Sequence, residues 1–378
     1  MIAPELVTDL VRWRRHLHAN PELSYEEHET SRFVEQTLRE IGGLELSRPT
    51  PTSVVARLRN GDGPTLALRA DMDALPIEEA TGLEFASTRP GVMHACGHDA
   101  HTAILLGVAR TLVDRRDELA GEVRFLFQHA EELPPGGARA LIAAGALEGV
   151  DVVVGAHVFS IVESGRVAVP VGPFMAAPDT FEIVIRGAGG HAAMVHSAVD
   201  PVVAAAQVVV NLQQIVSREV KAILPAVVSV TRIAGGTADN VIPEEVVLGG
   251  TVRTFEAEVQ AQIRGAIERI ATGVAAAHRC TAELRYDGGY ATTVNEAGVA
   301  ALVARNVDPA RLTELEPVMG GEDFSAYQQV VPGCFFIVGA GGDGAAPHHH
   351  PRFAIDEAAL PVAHDVFVRT ALDFCRRA

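Results

Sequence analysis

Cysteine and histidine side chains are concentrated in one short stretch of the chain. Residues 94–101 are His-Ala-Cys-Gly-His-Asp-Ala-His, although the whole chain has only four cysteines. Thiolate and neutral imidazole are ligands of zinc and similar first-row metals, and Gly97 lets the backbone bend so that Cys96 and His98 can converge. The stretch therefore indicates part of a metal site. A histidine-rich surface loop, with Cys96 as a small buried apolar residue, is the alternative that this stretch alone leaves open.

Further groups that can bind a metal follow strand-like runs elsewhere in the chain. Open α/β sheets bind their ligands at the carboxyl ends of the strands, so groups that follow several strands gather in one crevice. That gathering favours a metal site over a chance surface loop. The runs and the groups behind them are 65–70 with Asp71 and Asp73, 123–127 with Glu131 and Glu132, 152–154 with His157, and 335–338 with His348, His349 and His350.

These groups are numerous enough for a hydrolytic site with two metals, which needs about four or five protein ligands and a separate base for the attacking water. A metal would neutralise Glu132 and leave Glu131 able to take a proton, although two solvated surface acids are the alternative. We expect Asp73 to accept a hydrogen bond from a ligating imidazole and so to fix its tautomer, with a structural turn role as the alternative. The predicted ligands are Cys96, His98, Glu132, His157 and His349, and the predicted base is Glu131.

Strands and helices alternate around these groups, which predicts an α/β domain with a central mixed sheet flanked by helices. Ser24 and Glu27 have the spacing of a capping box at the start of the second helix. The residues Asn60-Gly61-Asp62-Gly63 join two strand-like runs and predict a β-hairpin.

The order of elements changes between residues 178 and 287. There the pattern is β-α-β-β-α-β, which is a complete two-layer, ferredoxin-like α+β unit able to bury its own core. We therefore predict a discontinuous catalytic domain over 1–177 and 288–378 and an inserted domain over 178–287.

Composition excludes several classes of partner. The 378 residues carry a net charge of -17, which argues against nucleic acids and anionic membranes, because both are bound through basic patches. Charged residues interrupt the N-terminal stretch where a signal peptide would be apolar, and no segment is apolar for long enough to cross a bilayer. The cysteines at 96, 280, 334 and 375 show no paired spacing. We therefore expect a reduced, cytoplasmic compartment.

Several motifs resemble the amidohydrolase branch of the aminoacylase and carboxypeptidase family, whose members are zinc-peptidase-like, co-catalytic metallopeptidases. Hippurate hydrolase and the indole-acetyl-amino-acid hydrolases belong to this branch. The resemblance is collinear from about residue 12 to residue 356, and it covers both predicted domains. Its motifs lie at 68–76, 94–101, 127–132, 189–193, 235–243, 250–253 and 321–324.

The resemblance implies a metal-dependent amidohydrolase that splits N-acyl amino acids, with acetyl, benzoyl or similar acyl groups, into a carboxylic acid and a free amino acid. It implies two divalent ions, which zinc, manganese, nickel or cobalt would supply. The resemblance assigns the same five metal ligands and the same general base. For the last ligand, the spacing to Pro351 favours His349 without excluding His348 or His350. The inserted domain resembles a lid or dimerisation domain, which implies a homodimer.

Three residues of the inserted domain also receive roles from this resemblance. His191 would stabilise the oxyanion of the transition state, either in its own subunit or across the dimer interface. Asn240 and Arg253 would hold the substrate carbonyl and carboxylate, the latter through the bidentate fork of the guanidinium. A turn residue is the alternative for His191, and a solvated side chain is the alternative for Arg253. The family usually has proline where this chain has His129.

Two rival functions remain open. A dipeptidase or carboxypeptidase of the same fold would keep the whole site and differ only in its substrate pocket. A non-catalytic binding protein stabilised by metal would need no base beside its ligands, so the presence of Glu131 argues against it.

Overall fold

The computed structural model describes residues 2–376, and fifteen strands and nine helices lie within them. Short helical turns add to these at Arg116–Glu118, Val195–Ser197, Ile215–Glu219 and Pro309–Arg311. The strands are β1 (Glu45–Ser47), β2 (Val54–Arg59), β3 (Thr65–Asp71), β4 (Glu122–Gln128), β5 (Val152–Glu163), β6 (Val167–Ala168), β7 (Gly172–Met175), β8 (Ala177–Arg186), β9 (Gly190–His191), β10 (Ala226–Ala234), β11 (Val241–Ile242), β12 (Glu245–Thr254), β13 (Thr281–Asp287), β14 (Thr293–Asn295) and β15 (Gly333–Gly341). The helices are α1 (Pro4–Ala19), α2 (His28–Ile41), α3 (His98–Asp114), α4 (Gly137–Ala143), α5 (Pro201–Gln214), α6 (Ala257–Ala277), α7 (Ala297–Arg305), α8 (Ser325–Gln328) and α9 (Ala359–Phe374).

The chain divides into two compact units. The first contains the residues up to Gly172, the segment Thr293–Glu316 and the residues from Asp323 onward, and the second contains Pro173–Thr292 and Pro317–Glu322. The predicted inserted segment lies within the second unit. Its role as a lid or dimerisation domain stays a prediction.

A seven-stranded mixed sheet forms the centre of the first unit. Its strand order is β1-β2-β4-β3-β5-β15-β6, and the four central strands β4, β3, β5 and β15 run parallel to one another. The mixed sheet with helices around it is confirmed. Because the central strands are parallel, their carboxyl ends lie along the same edge, and the loops that leave these ends come together there.

Helix α3 lies in the core of this unit and is buried on almost every side. It packs against α1, α2 and α9 and against strand β3. Every residue from Ala103 to Ala109 is apolar or glycine and is buried, which is typical of a helix enclosed by other elements. This burial holds the first turn of α3, where the candidate metal ligand His98 lies, in a fixed position.

The predicted hairpin between β2 and β3 is wrong. Both strands pair with β4 instead, β2 in the antiparallel and β3 in the parallel direction. Strand β4 is buried along its whole length, so it lies between β2 and β3 in the sheet. The link 60–64 therefore has to cross the end of β4 to connect these two strands. In this link the N–H of Asn60 donates to Gly121 O at 2.8 Å, and a Cβ at Gly63 would lie 1.6 Å from Ala120 O. The glycine therefore permits a close backbone approach and not a two-residue turn.

The second unit contains an antiparallel sheet of four strands in the order β10-β12-β8-β13. Helices α5 and α6 pack with this sheet around an apolar core that includes Ile183, Leu212, Leu248 and Ile263. The four strands of this sheet and the two helices follow the predicted order β-α-β-β-α-β, and the two-residue strands β9 and β11 pair with each other outside the sheet. No helix within residues 2–376 has the length and hydropathy needed to cross a membrane.

Candidate metal centre

The turn before α3 brings the first two candidate ligands together. Gly97 precedes the helix with a left-handed φ of 94°, and a Cβ at this position would lie 2.5 Å from Val158 Cγ2. Only glycine satisfies both conditions without displacement of the backbone. Cys96 therefore lies directly before the turn and His98 directly after it, and both side chains are buried.

The structure brings all five predicted ligands and the predicted base close together at the carboxyl edge of the sheet. Cys96 Sγ lies 3.4 Å from His157 Nε2, and Glu132 Oε1 lies 3.2 Å from His349 Nε2. Three overlapping groups each have their ligand atoms within 4.8 Å of one another. They are Cys96 with His98 and His157, Cys96 with Glu132 and His349, and His98 with Glu131 and Glu132.

In two of the histidines, one ring nitrogen forms a hydrogen bond outside the cluster, so the other ring nitrogen faces the cluster. His157 Nδ1 donates to Val158 O at 2.9 Å, which leaves Nε2 towards Cys96. His98 Nδ1 lies 2.9 Å from Asp73 O and 3.2 Å from Asp73 Oδ1, so the predicted contact between Asp73 and a candidate ligand is present. A second partner of this kind fixes the tautomer and the orientation of a ligating ring.

Two buried polar atoms of the cluster lack a hydrogen-bond partner among residues 2–376. They are His98 Nε2 and Glu132 Oε1, the second of which lies 3.2 Å from His349 Nε2 without forming a hydrogen bond to it. An unpaired buried nitrogen or carboxylate oxygen costs free energy, whereas a bound cation would satisfy both atoms. Thiol, imidazole and carboxylate ligands together suit a divalent first-row metal. The residues present therefore fit a metal centre.

The electrostatics of the cluster favour a cation. Burial raises the pKa of the Cys96 thiol well above its ordinary value, and the carboxylates of Glu132 and Glu131 raise this pKa further. Burial alone would lower the pKa of His98, but Asp71 and Asp73 raise it to about 10. Both shifts share one cause, the carboxylates around the cluster, whose negative charge favours a bound cation.

Among the three consecutive histidines, His349 contributes its ring to a group of close ligand atoms, together with Cys96 and Glu132. Neither His348 nor His350 belongs to such a group within residues 2–376. Its backbone has a left-handed φ of 62°, and its N–H donates to Ala95 O at 2.8 Å. The ring of His348 turns away and donates from Nε2 to Val158 O at 2.9 Å. The ring of His350 accepts the N–H of Arg352 through Nδ1 at 3.0 Å.

His101 supports the site, because both of its ring nitrogens already have partners. Nδ1 lies 2.6 Å from Asp71 Oδ1, and Nε2 accepts the N–H of Val158 at 2.9 Å. Asp71 also pairs with the fully buried Arg69 at 2.6 Å, and Arg69 in turn lies 2.7 Å from Asp323. The sequence predictions missed this buried network. The feature of the sequence that could have revealed the network is Arg69, an arginine inside a buried strand.

The pair Glu131 and Glu132 lies in the loop that follows β4. Ala130, just before the pair, has a left-handed φ of 49°, and its N–H donates to Glu27 Oε1 at 2.7 Å. The N–H of Glu132 donates to Asp73 Oδ2 at 2.9 Å. Glu131 is buried, and its Oε1 accepts the N–H of Asp323 at 3.4 Å.

The predicted capping box of Ser24 and Glu27 is wrong. Helix α2 begins at His28, and neither Ser24 nor Glu27 caps its first turn, where the N–H of Thr30 instead donates to Glu22 Oε2 at 2.8 Å. Ser24 Oγ instead donates to Asp73 Oδ2 at 2.7 Å, and Glu27 Oε1 accepts the N–H groups of Tyr25 and Ala130. The spacing of the two residues is that of a cap, but both side chains contact loops that carry site residues.

The second unit carries the other three predicted residues. His191 and Asn240 are exposed, and the paired strands β9 and β11 bring their segments together, with Ala192 N–H donating to Asn240 O at 3.0 Å. Arg253 is half-buried, and its guanidinium donates to Val252 O at 3.0 Å and to Met319 O at 3.2 Å. The roles predicted for these residues stay predictions.

Comparison with known proteins gives matches along nearly the whole chain. Residues 67–373 match the model of peptidase family M20/M25/M40. An N-acyl-L-amino acid amidohydrolase of Geobacillus stearothermophilus is 54% identical over 295 residues, which cover 78% of this chain and 80% of that protein. Thermostable carboxypeptidase 2 of Saccharolobus solfataricus is 40% identical over 376 residues, which cover 97% of this chain and 96% of that protein.

The fold also matches solved structures. One of them is the crystal structure of a Bacillus subtilis protein, described as a dinuclear metal binding peptidase from the M20 family. It superposes with a TM-score of 0.87 and 39% sequence identity, and the match covers 99% of each chain.

Proposed function

The chain belongs to peptidase family M20/M25/M40, as its motifs indicate, and on this basis we propose that it hydrolyses the amide bond of N-acyl amino acids. The products are a carboxylic acid and a free amino acid. The observation that carries this proposal is the pair Glu131 and Glu132, which lies in a cluster of thiol and imidazole ligand atoms. The similarity to an N-acyl-L-amino acid amidohydrolase supports the substrate class.

Two divalent ions complete the site. Zinc, manganese, nickel and cobalt all suit its mixture of sulfur, nitrogen and oxygen ligands, and cellular supply decides among them. The solved structure of the dinuclear metal binding peptidase supports the number of ions. When bound, the ions polarise the substrate carbonyl and lower the pKa of a water molecule from about 16 to near 7. The residues that would hold them are Cys96, His98, Glu132, His157 and His349.

Glu131 acts as the general base. It takes the proton of the attacking water and returns it to the nitrogen of the leaving amino acid. The hydrogen bond from the N–H of Asp323 orients its carboxyl group. Asp73 keeps the His98 ring in one tautomer through Nδ1, so that Nε2 faces the ligand cluster.

The second unit supplies the remaining contacts to the substrate. His191 donates a hydrogen bond to the oxyanion, in its own subunit or across a dimer interface. Asn240 holds the substrate carbonyl, and Arg253 pairs with the carboxylate of the amino acid. The unit also forms the interface of a homodimer. The enzyme works in the cytoplasm on a small-molecule substrate, with no nucleic-acid or membrane partner.

The variant Glu131→Gln tests the assignment of the base. Glutamine has nearly the same shape but cannot take a proton, so we expect kcat to fall by on the order of 10³-fold while both metals stay bound. Metal content and turnover of N-acetyl, N-benzoyl and N-indoleacetyl amino acids would be measured on chelated and reloaded protein. The variant Glu132→Gln is the contrast, because it should lose metal as well as activity. Wild-type turnover by Glu131→Gln would disprove the role.

A carboxypeptidase or dipeptidase is the second candidate, because thermostable carboxypeptidase 2 of Saccharolobus solfataricus is 40% identical to this chain. Dipeptides and N-blocked peptides in the same assay separate the two functions. Faster release of a C-terminal residue from peptides than from N-acyl amino acids would favour the carboxypeptidase. No turnover of any of these compounds by reloaded protein would favour a metal-binding protein without catalysis.

A further inference from the structure

A short segment before α2 contacts both acidic loops of the metal centre. This segment, residues 22–27, is called the N-terminal connector below. At one end, the backbone of Glu22 accepts the N–H of Ala74 at 2.8 Å, and Ser24 Oγ donates to Asp73 Oδ2. At the other end, Glu27 Oε1 accepts the N–H of Ala130 at 2.7 Å. The connector therefore links the loop of Asp73 to the loop of Glu131 and Glu132.

The turn at Ala130 requires something to hold it. Its φ of 49° lies in the left-handed region, which an alanine adopts at an energetic disadvantage because its Cβ crowds the backbone. Two hydrogen bonds fix its flanking peptide groups: Glu27 accepts the N–H of Ala130, and the N–H of Gly137 donates to Ala130 O at 3.0 Å. The direction of the following residues, Glu131 and Glu132, depends on this turn.

Neither packing nor charge pairing explains why a buried glutamate occupies position 27. The Glu27 side chain is fully buried, and the groups that shift its pKa are the carboxylate of Asp73, backbone N–H groups and the side chain of Thr52, none of which is a cation. Burial raises the pKa of Glu27 to about 7, and the nearby carboxylate of Asp73 raises it too. A buried carboxyl group is costly to keep, and an apolar side chain would fill the same space without that cost.

We propose that Glu27 is a positioning residue for the metal centre, and that it aims Glu131 and Glu132 by holding the left-handed turn at Ala130. Ser24 completes this arrangement, because it donates to the same oxygen of Asp73 that accepts the N–H of Glu132. The inference rests on the proposed function for its effect on turnover. Its effect on metal binding holds for any function of the site.

Three variants test this role. Glu27→Ala removes the acceptor, so we expect the metal affinity to fall about tenfold through Glu132 and kcat to fall about 100-fold through Glu131, with KM little changed. Glu27→Gln keeps a carbonyl oxygen for the two N–H groups and should stay within about threefold of wild type. Glu27→Ala combined with Ala130→Gly should recover part of the loss, because glycine adopts a left-handed φ readily.

The measurements are metal affinity by calorimetry with Zn²⁺ or Co²⁺ alone, the absorption spectrum of the Co²⁺ protein, and kcat and KM for an N-acyl amino acid. Glu26→Ala is the control, because Glu26 is the exposed neighbour, with 73% of its side chain accessible. It should match wild type in every measurement. If Glu27→Ala does not fold, Glu27→Asp replaces it, since the shorter side chain does not reach Ala130.

Wild-type metal affinity and kcat in Glu27→Ala would overturn the proposal. Equal damage by Glu27→Gln would also overturn it, because the charge and not the hydrogen-bond acceptor would then matter. So would the absence of any recovery in the double variant. If wild-type protein turns over no N-acyl amino acid, the proposed function fails, and metal affinity and the Co²⁺ spectrum still decide on Glu27.

Discussion

His98 and His157 each reach the cluster with one ring nitrogen because the other nitrogen is already bound elsewhere. His98 is held through Nδ1 by Asp73, and His157 is held through Nδ1 by the carbonyl of Val158. Val158 also donates its N–H to His101 and accepts the His348 ring at its carbonyl. One peptide segment thus orients three imidazole rings.

Loss of Cys96 should reduce metal binding without unfolding the protein. We expect Cys96→Ala to bind metal about 10-fold to 100-fold more weakly, because a thiolate ligand is gone while the small buried volume changes little. Metal content by mass spectrometry and secondary structure by circular dichroism would check this. Cys334→Ala is the matched control, since Cys334 is also fully buried but belongs to none of the candidate ligand groups. Unchanged metal binding in Cys96→Ala would exclude the thiol as a ligand.

The candidate ligands could be found in the sequence because cysteine, histidine and paired acids behind strands are uncommon. Of the residues that support them, Asp73 was predicted, but Glu27 and Arg69 were not, because each resembles an ordinary polar residue until its distant partner is known. Glu27 lies 103 positions from Ala130, and Arg69 lies 254 positions from Asp323. Spacing along the chain identifies helix caps and turns, but it does not identify a hydrogen bond between two loops.

At the scale of elements, the same limit explains the hairpin error. Asn60 to Gly63 have the composition of a two-residue turn, but strand order depends on which strand buries both faces, and β4 does so. The mixed sheet and the β-α-β-β-α-β unit were predictable, since the alternation of apolar residues specifies element type. The order of strands within the sheet was not.

The turn into α3 is the element whose geometry allows the sharpest test. Gly97→Ala should lower the free energy of unfolding by about 2 to 4 kcal/mol and weaken metal binding, because it adds both a left-handed alanine and a clash with Val158. Gly82→Ala is the matched control: its φ is 72°, but nothing lies within 4 Å of the added Cβ. It should cost about 1 kcal/mol and leave metal binding unchanged. Urea unfolding and calorimetry measure both quantities, and equal effects of the two variants would argue against the close contact.

At the scale of the whole first unit, buried charges connect the start of the chain with elements far along it. Arg14 and His18 of α1 both contact Asp99 of α3, at 2.8 and 2.9 Å. Arg14 also lies 3.1 Å from Glu357, just before α9. His18 further contacts Glu79 at 3.2 Å. The first helix is therefore fixed by ion pairs as well as by its apolar face.

This network should make stability depend on pH. Burial lowers the pKa of His18, but Asp99 and Glu79 raise it to about 9, above the ordinary value of 6.5. The folded protein therefore keeps a proton that the unfolded chain loses above about pH 6.5, so the contribution of His18 is complete below that pH and is lost as pH rises to about 9. We expect a loss of roughly 1 to 3 kcal/mol across this window.

Urea unfolding of metal-free protein at several pH values between about 6 and 10 measures the loss. His18→Gln keeps the hydrogen bond but not the charge, and its stability should be lower at pH 6 and should decline less across the window. Subtracting the two curves removes the contribution of other titrating groups. Parallel curves for wild type and variant would show that His18 does not carry the proton.

The place of β4 between β2 and β3 has a consequence during protein synthesis. A nascent chain that has reached Asp71 holds two strands that do not pair with each other, and their shared partner ends at Gln128. Strand β15, which pairs with β5, ends only at Gly341. The edges of β2 and β3 therefore stay open until β4 is made, and the edge of β5 stays open until β15 is made, so the growing polypeptide depends on slow, long-range pairing to escape aggregation.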